Sequence, residues 1–171
     1  SYVEGDMLLP PSVVDLKMHF NQGGIGLDLF RPLTGLTSLS LRMMFNNDPL
    51  DLSSLTTLQT LDTSEAIVES FPVSLKVCTA LVQLENADFS QLTNLSSLDL
   101  RVRTPKDIPP HVAFPTQLVH LHVRRLFPES NISDVQLKSL TCELMVRMTD
   151  SQMKQLPKTL ETTDIEQPSL K

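Results

Sequence analysis

A leucine phrase that returns about every twenty-two residues constrains the fold of this chain more than any other feature. The phrase reads Leu-x-x-Leu-x-x-Leu-x-Leu. Its clearest copies are Leu33, Leu36, Leu39, Leu41 and Leu92, Leu95, Leu98, Leu100. Residues two apart share one face of a strand, and residues three apart suit a tighter bend leading into it. Each copy therefore predicts a bend followed by a short strand whose leucines face a shared interior.

A single unit of this kind cannot bury its own leucines, so neighbouring units must stack into a solenoid. The third apolar residue of the phrase serves as the anchor of each unit. We place the anchors at Leu16, Leu39, Leu61, Leu84, Leu98, Leu121, Leu144 and Thr163. The intervals between them are 23, 22, 23, 14, 23, 23 and 19 residues. Six of these seven intervals are similar enough to indicate one architecture.

The interval of 14 residues is the weak point, because it leaves little chain for a return arc. A second register, with a strand near Cys78 and Ala80, would divide the same stretch into 17 and 20 residues. We prefer the anchor at Leu84, since the residues from Leu75 to Asn86 follow the phrase more closely.

Three units begin with a proline, at Pro10, Pro115 and Pro157, and Pro72 holds a similar place in the fourth unit. Proline fixes its own φ and has no N–H to donate, so it suits the stretch just before a paired strand. We therefore interpret these prolines as structural.

These residues resemble the leucine-rich repeat family, in which Leu-x-x-Leu-x-Leu-x-x-Asn marks a strand followed by an asparagine. The stretch from Val13 to Asn21 fits the full pattern. The equivalents of Asn21 in the next six units are Met44, Ala66, Phe89, Arg103, Leu126 and Thr149. The short units and their Leu-Pro-x-x-Leu starts are similar to irregular, short-repeat members of the family.

The resemblance implies an α/β-type, strand-rich solenoid. It would be a right-handed coil with a curved parallel sheet on its concave face and irregular or 3-10 arcs on its convex face. The likeness covers residues 10–165, about eight units, so we expect a single domain over residues 1–171. We find no polar cap after Ile165, although solenoids need capped ends. A continuing chain, a partner or homo-association through the end strand would cover that edge.

Composition narrows the class of protein. Hydrophobic residues make up 40% of the chain, enough for a core, and the near absence of aromatics makes that core aliphatic. A formal net charge of −6 argues against a nucleic-acid binder, because phosphate binding needs a basic surface. We find no run of about eighteen apolar residues, which argues against a membrane span.

The cysteines favour a cytoplasmic setting. Cys78 and Cys142 fall in different units, so they predict buried packing and no terminal disulfides of the kind secreted solenoids use. Two glycosylation sequons, at Asn94 and Asn131, keep a secreted or surface setting as the alternative. Ser1 stands where an initiating Met would, which favours a processed or excised segment.

The residues between the leucines should point away from the core, onto the concave face. The first outward row is Lys17, Ser40, Asp62, Glu85, Asp99, His122, Met145 and Asp164. The second outward row is His19, Arg42, Ser64, Ala87, Arg101, Arg124, Arg147 and Glu166. The first row is acidic through its middle, and the second is basic toward its end.

We expect a protein partner to contact this face. The contact set we predict is Asp62, Glu85, Asp99, Arg101, His122, Arg124 and Arg147, with the last three of its basic positions, Arg101, Arg124 and Arg147, stacked as a ridge. Arginine suits bidentate contacts with carboxylates and is enriched in interface hot spots. The alternative is that these charges only solvate the sheet and pair across strands, as Asp99 with Arg124 would.

Signatures of an enzyme are missing from the sequence: it has no Gly-x-Ser-x-Gly, His-Glu-x-x-His or Cys-x-x-Cys. We therefore expect no catalysis and no cofactor. His120 and His122, with Asp99 and Glu143, could converge on a metal, but two histidines on a solvated strand are commoner, and we assign no metal site.

The function that these features favour is a protein-protein interaction module. The alternatives are the substrate-recognition domain of a larger enzyme or effector, and a secreted or surface receptor ectodomain.

Overall fold

A computed structural model of the chain describes residues 9–20, 27–43, 49–82, 88–102, 112–125, 131–144 and 154–165. It contains nine strands. They are β1 (Asp15–Phe20), β2 (Ser38–Met43), β3 (Leu50–Asp51), β4 (Thr60–Ser70), β5 (Val77–Val82), β6 (Ser97–Val102), β7 (His120–Arg125), β8 (Ser139–Leu144) and β9 (Thr162–Ile165). The described ranges also hold two 3-10 helices, Leu27–Leu29 and Ile132–Asp134, and no α-helix.

The strands form one parallel sheet in the order β1-β2-β4-β5-β6-β7-β8-β9, and β3 pairs with the far end of β4. Every strand pairs in parallel with the strand of the next unit, as successive coils of a β-solenoid do. The predicted strand-rich solenoid with a parallel sheet is confirmed at this level.

The strand register corrects two of the eight anchors. Leu61 pairs with Cys78, and Cys78 pairs with Leu98, so the fourth anchor is Cys78 and the placement at Leu84 was wrong. Leu121 pairs with Leu140, whereas Leu144 pairs with Arg125, so the seventh anchor moves as well. The chain adopts the division into 17 and 20 residues that the sequence had made second choice.

The three-residue spacing of the leucines is produced by tight backbone turns. The N–H of Leu36 donates to the carbonyl of Leu33 at 3.2 Å, and that of Leu95 donates to the carbonyl of Leu92 at 2.9 Å. An i to i+3 bond closes a turn and places residues three apart on the same side. The leucines of the phrase therefore reach the core first through turns and then through the strand.

Proline replaces the first leucine of this turn without disturbing it. Leu75, Leu118 and Leu160 donate their N–H groups to the carbonyls three residues earlier at 3.3, 3.1 and 3.3 Å, and those carbonyls belong to Pro72, Pro115 and Pro157. The first residue of such a turn supplies only its carbonyl, so the missing N–H of proline costs nothing there. The three prolines are themselves buried, as leucines in the same position are.

The core is a column of anchors that runs through the stacked units. Leu39, Leu61, Cys78, Leu98, Leu121 and Leu140 are each no more than 2% exposed. At the two ends of the column, Leu16 is half-buried and Thr163 is exposed. Truncating a buried leucine of this kind to alanine costs about 3 kcal/mol, so the column supplies much of the stability.

One irregularity interrupts the sheet at β4. Its register with β5 passes from Thr63 opposite Ala80 directly to Ile67 opposite Leu81, so three extra residues lie between them. Beyond this bulge, β4 continues and pairs with β3 through Val68 and Ser70. The unit thus has an extended return arm, and the leucine phrase resumes later than the sequence spacing suggested.

Candidate functional site

The exposed face of the sheet carries the first outward row, which the register now defines. It consists of Lys17, Ser40, Asp62, Thr79, Asp99, His122, Thr141 and Asp164. Thr79 and Thr141 occupy the places that the sequence had given to Glu85 and Met145, because the fourth and seventh anchors moved. Glu85 and Met145 lie outside the described residues. The acidic middle of the row is therefore Asp62 and Asp99, with Thr79 between them.

The second outward row also changes at two units. Leu81 lies opposite Arg101, where Ala87 had been expected. Val123 pairs with Cys142 and Arg125 with Leu144, so the strand position beside Arg124 is Glu143. The predicted stack of three arginines thus shortens to the neighbouring positions Arg101 and Arg124, and Arg147 lies outside the described residues.

Three of the predicted contact residues meet around Asp99, and we call Asp99, Arg101 and His122 the Asp99 cluster. The guanidinium of Arg101 donates to Asp99 Oδ2 at 3.5 Å, and His122 Nδ1 lies 3.6 Å from Asp99 Oδ1. The side chains of Arg101, His122 and Asp99 are 54%, 37% and 25% exposed, so the carboxylate is the most sheltered member.

The geometry of a parallel sheet explains this grouping. Asp99 and Arg101 are two apart on β6 and so share a face, while His122 is the register partner of Asp99 on β7, about 4.8 Å away along the sheet. The predicted pairing of Asp99 with Arg124 is replaced by these two closer contacts.

Asp62 lies two strands from the Asp99 cluster along the same row. Ser40 Oγ donates to its Oδ2 at 3.4 Å, and Asp62 is half-buried. Thr79, also half-buried, separates it from Asp99. The middle of the face thus presents two carboxylates with a threonine between them.

Directly beneath this part of the row, the thiol of Cys78 faces the core. Burial raises the pKa of Cys78 well above its ordinary value, and the charges of Asp99 and Asp62 raise it further. The thiol therefore stays protonated at neutral pH and is a poor nucleophile. Cys78 and Cys142 are both buried and neither forms a disulfide, which confirms the predicted packing role.

A ladder of side chains between successive coils is the main polar feature that the sequence reading missed. In five units, the residue just before a turn leucine donates from its side chain to a backbone carbonyl of the preceding coil. The five bonds are Thr57 to Leu36 at 2.8 Å, Ser74 to Leu58 at 2.6 Å, Asn94 to Val73 at 3.2 Å, Gln117 to Leu92 at 3.2 Å and Thr159 to Leu137 at 2.6 Å. We had looked for an asparagine after the strand, whereas the periodic polar residue precedes it.

Asn131 makes a different and stronger connection. Its Oδ1 accepts the N–H of Phe114 at 2.8 Å, and its Nδ2 donates to the carbonyl of Phe114 at 2.9 Å. The side-chain amide therefore pairs with one backbone residue as a neighbouring strand would. Both sequon asparagines, Asn94 and Asn131, are thus engaged in holding coils together.

Two further features bear on the class of site. Within the described ranges, no group of three or more His, Cys, Asp and Glu side chains could hold a metal ion. No helix in the same ranges is long and apolar enough to cross a membrane. Comparison with protein-family models, with curated proteins and with solved structures gives no match to this chain.

Proposed function

We propose that this chain is an irregular leucine-rich-repeat-type solenoid that binds a protein partner through the exposed face of its sheet. The proposal combines the leucine phrase with the parallel β-solenoid and the polar outward rows. In this reading the sheet face is the concave surface of a right-handed coil, and recognition needs shape and charge complementarity without chemistry on the partner.

The observation that carries the proposal is the Asp99 cluster. An exposed ion pair adds only about 0–1 kcal/mol to folding, and the buried leucine column already stabilises the fold. The cluster is therefore free to serve recognition. Its contact with Asp99 also orients the guanidinium of Arg101, which lowers the entropy lost when a partner carboxylate binds it.

The charges around the cluster define the partner surface that would fit. Asp62 and Asp99 favour a cationic side chain over the middle of the first outward row, whereas Arg101 favours a carboxylate beside it. A partner surface of mixed charge, with both signs within about 10 Å, matches this pattern because strands lie about 4.8 Å apart.

The test compares two arginines that make the same kind of ion pair in different places. Arg101 pairs with Asp99 on the sheet face, and Arg31 pairs with Asp28 at 3.0 Å on the turn side. The wild-type chain, Arg101→Ala and Arg31→Ala are each immobilised and exposed to an extract of the source cells. Retained proteins are identified by mass spectrometry, and their affinities are then measured by titration calorimetry.

A partner bound by wild type and Arg31→Ala, but at least tenfold more weakly by Arg101→Ala, supports the sheet face. Tenfold corresponds to about 1.4 kcal/mol, a modest value for an interface arginine. Equal affinity of all three chains for every retained protein contradicts the proposal.

A further inference from the structure

The seven junctions between successive coils share one backbone pattern. At each junction, the carbonyl just before a strand accepts two N–H groups from the next coil. For example, the carbonyl of Thr37 accepts from Gln59 at 2.8 Å and from Thr60 at 3.0 Å, and that of Lys138 accepts from Glu161 and Thr162 at 2.9 and 3.0 Å. The carbonyls of Val14, Gln59, Lys76, Ser96 and Val119 do the same.

This pattern stops at both ends of the stack. The donors equivalent to Gln59 and Thr60 in the first unit are the N–H groups of Val14 and Asp15, and no such junction reaches them in the described part of the chain. The equivalent acceptor in the last unit is the carbonyl of Glu161, which serves no such junction there. Val14, Asp15 and Glu161 are all exposed.

The two outer strands are complementary in side chains as well. If β1 of a second copy followed β9 at the register that the other coils use, Leu16 would face Thr163 in the anchor column. Lys17 would face Asp164 in the first outward row, and both side chains are exposed. Opposite charges on directly paired strand positions stabilise the pairing, and like charges destabilise it.

We propose that β9 of one copy pairs in parallel with β1 of another, so that the chain stacks head to tail. The junction would use the carbonyl of Glu161 and the N–H groups of Val14 and Asp15, and it would place Lys17 beside Asp164. Such a contact is heterologous and leaves an edge free on each copy, so the product is an open stack whose length grows with concentration. The polar Thr163 keeps this association weak, as edge strands commonly require.

Charge reversal tests the proposal. The molar mass of the wild-type chain is measured by sedimentation velocity from about 10 μM to about 1 mM at low ionic strength, where exposed charges are least screened. We expect reversible growth beyond the monomer. Lys17→Glu alone or Asp164→Lys alone should weaken association on the order of tenfold, because each places like charges side by side.

The double variant K17E/D164K restores opposite charges in exchanged positions and should recover association, as should a mixture of the two single variants. Lys76→Glu and Glu69→Lys change the same charges at exposed positions away from both edges and serve as controls. Circular dichroism at the lowest concentration checks that each variant is folded. A wild-type chain that stays monomeric at about 1 mM, or a double variant no better than the singles, overturns the proposal.

Discussion

Replacing Asn131 by alanine tests how the coils are held together. The change removes both bonds to Phe114 and leaves a backbone N–H and a backbone carbonyl without their partner. Phe114 is 1% exposed, so water has little access to replace the lost bonds. An unsatisfied buried polar group costs about 1–3 kcal/mol, so two of them predict a loss of about 2–4 kcal/mol.

The matched control is Asn94→Ala, since Asn94 is the other sequon asparagine and donates a single bond at an exposed site. We expect it to cost about 0.5–1 kcal/mol. Urea denaturation followed by circular dichroism measures both losses. In a thermal melt, a domain of this size shifts by about 2–4 °C per kcal/mol, so Asn131→Ala should melt about 4–16 °C lower.

Asn131→Asp separates the two bonds from each other. The carboxylate can still accept the N–H of Phe114, but it cannot donate to the carbonyl and repels it. Amide hydrogen exchange should therefore show the Phe114 N–H protected in Asn131→Asp and unprotected in Asn131→Ala. If Asn131→Ala is no more destabilising than Asn94→Ala, the side-chain pairing does not act as described.

Three further predictions concern other parts of the fold. The Ser53 and Ser90 N–H groups and hydroxyls lower the pKa of Asp51 and Asp88 below the ordinary 3.8. The stability they contribute is complete above that value and is lost as pH falls through the lowered pKa values. An Asp51→Asn, Asp88→Asn double variant should thus show a shallower loss of stability in acid titrations below about pH 4, and an unchanged slope would contradict this. The thiol of Cys78 should react with Ellman's reagent only at the rate at which the chain unfolds, and fast labelling of native protein would refute its burial. Leu98→Ala should cost about 3 kcal/mol in urea denaturation, whereas Thr163→Ala at the exposed end of the column should cost under about 0.5 kcal/mol.

The leucine phrase was sufficient to predict a stacked solenoid with a parallel sheet, because its spacing records both the turns and the strands. It was not sufficient to place every coil. The anchors at Leu84 and Leu144 failed since we assumed nearly constant intervals, whereas the bulge in β4 and the 3-10 helix at Ile132–Asp134 change the coil length. Such irregularities depend on pairing between distant residues, which leaves no periodic trace in the sequence.

The candidate site was predicted in part for the same reason. Asp62, Asp99, Arg101 and His122 lie in units whose anchors were correct, and the structure keeps them in the outward rows. Their pairing was not predicted, because row positions alone do not say whether an acid contacts its own strand or the next. The ladder of Thr57, Ser74, Asn94, Gln117 and Thr159 was readable in principle, since each residue directly precedes a turn leucine.

The junction between coils has a consequence for how proteins of this kind can change over evolutionary time. Successive anchors are separated by 17 to 23 residues, yet each coil meets the next through the same pair of N–H groups on one carbonyl. The sheet therefore takes no account of how long the connecting arc is. Insertions and deletions in the arcs can accumulate without shifting the outward rows, so descendants of such a chain can differ widely in length while presenting the same surface.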